Sequence, residues 1–454
     1  MTTFALDLGS TRIKLARLDA DGALRVLAAS DAPLPRGGES RREFDADEYR
    51  SLAESLKSRI EPGARLAITS QRSTFVLWDR TSGKPLTPAI SWQDRRAAAW
   101  CEEHANLGSG LRERSGLPLS PHYAGPKLAV VLDAQPELRR RMHSGEILFG
   151  TLETYLAWHW SERRAHETDL SMAARTLLVD VRRRAWSESA CEAFGVPRAA
   201  LPRIVATGGR TTQLTGGVQL ACSIADQASG LLAMLPGDER SAFVNLGTGC
   251  FVLRPNASVF ELVPGYLSGP LRADAEHATF ALEGTINGGG ASVARFGDAR
   301  PELAAFDAHA DAFCLPDENG IGAPHWRALQ SFALSSAALG LPRDAQRAVV
   351  LEGLVFRVRE IIDGLFATAP PQRVVLSGGL AREPFVARAL ATCLARNVEV
   401  AQEVESTLLG AARLAAGLDP CARPATEVVE PLADALWLRA KYERWRSWLA
   451  TLLS

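Results

Sequence analysis

Apolar and polar positions alternate near the start of the chain in three short runs, "TFALDLGS", "IKLARLDA" and "ALRVLAAS", separated by turns carrying Gly9 and Asp21-Gly22. Alternation with a period of two between such turns predicts an antiparallel meander of strands. The period then lengthens. "DADEYRSLAESLKSRI" has helical spacing and an acidic start, which predicts a helix, and "ARLAITS" follows as a buried strand ending at Gln71-Arg72. About half a chain later "SAFVNLGTGCFVLRP" repeats the opening in miniature: a strand, the turn Asn245-Leu246-Gly247-Thr248-Gly249, and another strand. "VVLSGGLAREPFVARALATCLA" then predicts a strand ending at Ser377 and a helix after Gly378-Gly379. The tail, "ADALWLRAKYERWRSWLATLLS", predicts a closing helix packed on the second half.

At 454 residues the chain is long enough for two domains of roughly 200 residues each. A helical stretch ends at Pro236-Gly237 in "LLAMLPGDERSAF", so the expected division is 1–237 and 238–454. One phosphate-loop design used twice, half a chain apart, is what a duplicated two-lobe ATPase would show. The βββαβ order of the first segment is similar to the core of the ribonuclease H-like fold shared by actin, Hsp70 and sugar kinases. The expected fold class is therefore α/β, with two such lobes and a cleft between them.

Charge narrows the partners. Lys plus Arg number 51 and Asp plus Glu 52, so no net field favours nucleic acid or an anionic membrane. The seven cysteines are odd in number, scattered and without a C-x-x-C pair, which argues against a disulfide framework and for a reducing cytoplasm. Met1 stands too close to the first strand for a signal peptide, and no apolar run approaches the ~20 residues that span a bilayer. A cytoplasmic protein is the expectation.

The chemistry concentrates at strand ends. Glycine turns let backbone N–H groups and hydroxyls approach phosphate oxygens closely. Asp7 ends an apolar strand just before Gly9, Ser10 and Thr11; it reads either as a turn-capping carboxylate or as an outer ligand of Mg²⁺ on a nucleotide. Asp226, in "CSIADQASGLLAM", follows an apolar strand and precedes a helical run. It suits an N-cap, and equally a general base that takes the proton of a substrate hydroxyl attacking a γ-phosphoryl group.

Several segments together carry a family resemblance. "SQRSTFVLWDRTSGKPLTPAISWQDRRA", "YAGPKLAVVLDAQPELRRR", "TDLSMAARTLLVDVRRRAW", "SIADQASGLLAM", "VNLGTGCFVL", "ALEGTINGGGASV", "AVVLEGLVFRV", "VVLSGGLAREPFVARALA" and "ESTLLGAARLAA" occur in the order found in the FGGY family of carbohydrate kinases, which the chain resembles over about nine-tenths of its length. The resemblance implies a carbohydrate-binding first lobe and a nucleotide-binding second lobe, closing over MgATP and a small polyol, ketose or sugar acid. It implies that Asp226 is the base and that Asp7 and Asp226 serve Mg²⁺. Ser10 and Thr11, with Gly247, Thr248 and Gly290, would hold the phosphates, and Gly378 and Gly379 would leave room for adenosine. Arg72, Ser73, Trp92, His122 and Gln227 would line the sugar site.

Departures from the family bear on substrate. Glycerol kinases usually read Q-R-E-T where Ser73 replaces the Glu, and His122 stands in place of a tyrosine. Ala294 and Glu383 stand where Gln and Asn often lie near adenine. His325 is expected to be structural. A homodimer is the expected assembly. The competing class is a non-catalytic relative, a nucleotide-gated binding protein or filament subunit of the actin-like fold.

Overall fold

Two mixed sheets of matching topology carry the chain in the computed structural model, which describes all residues except 39, 236–239, 248, 257–258, 299–300, 302–310, 328, 404 and 434–435. Thr248 and the expected 237/238 boundary therefore lie outside the described residues. The first sheet runs Thr212–Leu214, Val218–Ala225, Arg65–Ser70, Thr3–Leu8, Arg12–Leu18, Leu24–Asp31. The second runs Leu267–Ala273, Ala278–Ile286, Cys250–Asn256, Ser241–Leu246, Arg373–Ser377, Val398–Ala401, Thr426–Val429. In each, the first strand in sequence pairs antiparallel with the next and parallel with the strand that follows the first long helix. The predicted meander, the helix Ala46–Lys57 with Asp45 as its cap, and the strand Arg65–Ser70 all form.

Period-two geometry decides what points where. Along Thr3–Leu8, Phe4, Leu6 and Leu8 enter one core with Tyr49 and Trp160, whereas Ala5 joins a second core with Ala16 and Ala67. Small residues on that second face let the helices Asp226–Met234 and Ser406–Ala416 pack between the sheets. They cross so closely that a Cβ on Gly410 would fall 2.2 Å from the carbonyl of Ser229. Asp7 shares the Ala5 face, and so its carboxylate is directed toward the seam between the lobes. Asn245 occupies the matching place on Ser241–Leu246, since Val244 and Leu246 lie in the core of the second lobe while Phe243 lies in the seam.

A smaller antiparallel sheet, Glu43–Phe44, Ala89–Ile90, Phe75–Asp79 and Ile147–Thr151, extends the first lobe and carries the loop bearing Trp92. The tail forms the helix Leu436–Leu453, whose Leu438, Tyr442, Trp445 and Leu449 are buried in the second-lobe core. All seven cysteines are buried and free. Among the described residues, no helix is long and apolar enough to cross a membrane.

Candidate active site

The interlobe seam opens into a cavity of about 270 Å³. Its walls come from both lobes: Asp7, Gly9, Ser10 and Asp226 from the first face Asn245, Gly247 and Gly249 from the second. Every residue expected at the sugar site (Arg72, Ser73, Trp92, His122 and Gln227) lines the same space. Thr11, Gly290, Gly378 and Gly379 lie outside its wall. Thr11 is exposed, and Gly290 directs its N–H toward Cys250 Sγ from the helix Gly289–Ala294.

Asp226 is the first residue of its helix, so Ala225 holds the capping position and the N-cap reading fails. The Asp226 carboxylate instead accepts the neighbouring Gln227 N–H at 2.8 Å. Burial raises its pKa above the ordinary carboxylate range, against the opposing Arg72 guanidinium. Asp7 is pushed up to about 8 by burial and by the Asp226 carboxylate, with Lys14 opposing. Two buried carboxylates facing one cavity, both with raised pKa, are short of positive charge, and a divalent cation is the group such a donor set fits. Lys14 itself is tied across the seam to Glu405 at 2.6 Å.

The turns that face these carboxylates depend on close backbone approach. Gly378 has φ +95°, and a Cβ there would stand 2.5 Å from the Leu246 carbonyl, inside the turn Leu246–Gly249. Gly378 is thus a packing glycine, and only Gly379 offers the open space expected of both. Gly378→Ala is expected to displace the turn and weaken MgATP binding about tenfold or more, because the clash is with backbone and the left-handed conformation adds strain. Calorimetric titration of the folded variant with MgATP checks this; unchanged affinity would show that the turn does not bear on the nucleotide.

At the sugar end, charge is arranged around a residue that the sequence reading left without a role. Glu283 lies on Ala278–Ile286, on the face of Ala281, which packs in the seam. Arg72 donates to it from Nη1 at 2.7 Å and from Nη2 at 3.0 Å, and Arg175 donates from Nη2 at 2.5 Å. Burial alone would raise the Glu283 carboxyl, but Arg175 and Arg72 outweigh it and hold it at about 2. The segments "AARTLL" and "ALEGTI" were the available signal, since each places one charge in an apolar setting.

Ser73 adopts φ +65°, is buried, and donates its hydroxyl to the Arg175 carbonyl at 2.7 Å. His122 is held neutral, at about 4, by burial and by the nearby Lys127 ammonium. Thr74 accepts the Trp92 N–H at 3.0 Å and donates to Gln71 Oε1 at 2.9 Å, fixing the Trp92 loop to the end of the strand Arg65–Ser70. Phe251, Tyr123 and Trp326 supply the aromatic surface. His325 is a structural partner of Glu360, 2.8 Å away. Glu383 faces Arg347 at 3.6 Å.

A duplicated ATPase-type lobe, with paired carboxylates opposite a glycine turn and a polar, aromatic-lined pocket beside them, defines an ATP-dependent phosphotransferase of the actin-like class. The chain belongs to the FGGY family of carbohydrate kinases: the family's N-terminal domain matches residues 2–227 and its C-terminal domain residues 242–417. It is 32% identical to a protein named glycerol kinase from Bordetella parapertussis, over 97% of this chain and 95% of that one. A glycerol kinase from Dechloromonas aromatica is also 32% identical, over 90% of this chain and 88% of its own length. In fold, the chain superposes on Plasmodium falciparum glycerol kinase with ADP at a TM-score of 0.85, with 21% identity and coverage of 100% and 98%. A ligand-bound xylulose kinase from Lactobacillus acidophilus gives 0.85 at 17% identity, with coverage of 100% and 98%.

Proposed function

We propose that the protein transfers the γ-phosphoryl group of ATP to a hydroxyl of a small polyol, ketose or sugar acid, with Asp226 as the general base. The observation that carries this reading is the juxtaposition of Asp226 with Asp7, Gly247 and the pocket residues Arg72, Trp92 and Gln227 around one cavity. Residues 1–237 form the carbohydrate-binding lobe and residues 238–454 the nucleotide-binding lobe. Ser10, Thr11, Gly247, Thr248, Gly290, Gly378 and Gly379 make up the nucleotide side, and of these Ser10 and Gly247 line the cavity. Asp7 and Asp226 would hold Mg²⁺, which when bound neutralises charge on the phosphates. Asp226 accepts the hydroxyl proton, while Arg72, Trp92, His122 and Gln227 orient the acceptor. Asn245 Nδ2 donates to Gln227 Oε1 at 3.2 Å, so closure of the second lobe also fixes that side chain. Positioning and the exclusion of water supply most of the rate. The filament or binding-protein alternative has no feature of the cleft in its favour.

The same geometry favours a substrate longer than glycerol. A site built to bond a particular hydroxyl discriminates through groups it would otherwise leave unpaired. Ser73 offers no charged acceptor, and its hydroxyl hydrogen is already engaged by Arg175. A four- to six-carbon ketose, polyol or aldonate is therefore expected to exceed glycerol in kcat/KM by about tenfold to a hundredfold, the worth of one hydrogen bond to a charged group. ADP release measured across a panel of polyols, pentuloses, hexuloses and aldonates tests both statements. No substrate-dependent release with any of them would overturn the kinase reading; glycerol as the best substrate would overturn only the specificity.

A further inference from the structure

We propose that Glu283 is a positioning residue that makes lobe closure a condition of phosphoryl transfer, by holding the Arg72 guanidinium away from Asp226. The proposal rests on Asp226 being the base. Arg72 and Asp226 both belong to the first lobe, Arg72 just beyond the strand Arg65–Ser70 and Asp226 at the start of its helix. Glu283 belongs to the second. Its two oxygens take the Nη1 and Nη2 edge of Arg72 at 2.7 and 3.0 Å, which leaves Nε 3.7 Å from Asp226 Oδ1. That last separation is outside hydrogen-bond range, whereas the first two are strong charge-assisted bonds. Glu283 therefore wins the guanidinium in the closed arrangement.

Opening the cleft carries Glu283 away with the second lobe and leaves Arg72 beside Asp226. A buried guanidinium that loses one carboxylate turns to the nearest other, and the nearest other is Asp226. Once paired, that carboxylate has a cation bound to it within the cavity that both residues line, and it is less free to accept a proton from a substrate hydroxyl. The Phe251 ring, also from the second lobe, lies 5.5 Å from the Arg72 guanidinium and adds a second closed-state contact that orients it. Arg175 completes the device: its Nη2 lies 2.5 Å from Glu283 Oε2, and its carbonyl is fixed by Ser73 Oγ at 2.7 Å. Two first-lobe cations thus converge on one second-lobe anion, which favours the closed state.

Glu283→Gln and Glu283→Asp in the full chain test this, with the best substrate of the panel. Glu283→Gln keeps the shape but cannot hold two guanidiniums. It is expected to lower kcat about a hundredfold, to leave the MgATP dissociation constant within threefold, and to abolish the fall in radius of gyration expected of the wild type in small-angle scattering when substrate and MgADP are added together. Glu283→Asp, which keeps the charge on a shorter stem, is expected to recover about tenfold of kcat and part of the closure. Should Glu283→Gln not fold, Glu283→Asp alone is expected to lose about tenfold in kcat with unchanged MgATP affinity. Wild-type kcat and closure per folded molecule in either variant would overturn the proposal and reduce Glu283 to a stabilising residue. Failure of the base itself is seen separately, as retained turnover in Asp226→Asn.

Discussion

Asp226→Asn is expected to lower kcat by about 10²–10⁴-fold, the usual cost of removing a general base, while MgATP affinity stays within a few-fold. The substitution preserves shape and the hydrogen bond accepted from Gln227 N–H at 2.8 Å, but an amide cannot take a proton. Burial that raises the Asp226 pKa also raises its affinity for the hydroxyl proton, and Arg72 at 3.7 Å opposes that rise. Single-turnover ADP release, beside calorimetric MgATP binding on protein of wild-type melting temperature, separates two roles. A fall in turnover alone assigns proton transfer. Matched losses of turnover and MgATP affinity would make Asp226 chiefly a metal ligand. Near-normal turnover would remove it from the mechanism.

Local sequence revealed the sheet elements because each was specified by its own neighbours. The turn at Gly9, the alternation through Leu6, Asp7 and Leu8, and the Asp45 cap all act within a few residues. The repeat in "SAFVNLGTGCFVLRP" was legible for the same reason, although Asn245 and Leu246, read as turn residues, belong to the strand Ser241–Leu246, which is what sets Asn245 opposite Asp7. What stayed hidden depends on pairing over long separations. Glu283 finds Arg72 and Arg175 only when the second sheet is set against the first, and nothing near "ALEGTI" in sequence names those partners. Of the two readings of Asp226, the N-cap one failed because the helix begins one residue earlier than the polar signal suggested. Gly378 and Gly379 look equivalent in sequence, yet one packs on a carbonyl and the other faces open space. The small sheet carrying the Trp92 loop has strands as short as Glu43–Phe44, too brief for any period to show.

The C-terminal helix presents the same long-range problem in its purest form, and Lys441→Met is expected to destabilise the protein by about 3–5 kcal/mol. Lys441 Nζ lies 2.6 Å from Glu352 Oε2, with side-chain exposures of 0% and 1%. A lysine is by type a residue for a wet face, but helical spacing from Leu438 and Trp445 sets Lys441 on the buried stripe, where packing between Arg343–Leu365 and Leu436–Leu453 seals it. Removing the cation leaves a buried carboxylate without its partner. Burial already pushes Glu352 up to about 7 despite Lys441, so in the variant the folded state binds this proton still more readily than the unfolded chain does. A folded-state pKa above the unfolded one means stability falls as pH rises between the two. The loss in Lys441→Met should therefore be larger at pH 8 than at pH 5, read as the shift in urea midpoint at each pH. Replacing both partners, Glu352→Leu with Lys441→Met, is expected to restore most of the stability, because a matched apolar pair carries no desolvation cost. The effect should reach the cleft: Arg357 on the same long helix bonds Asp317 at 3.0 Å, and Asp317 accepts the Gly322 N–H of the loop that brings Trp326 to the cavity. A single variant within about 1 kcal/mol of wild type at both pH values would show that the pair is solvated and that the helix docks by its apolar face alone.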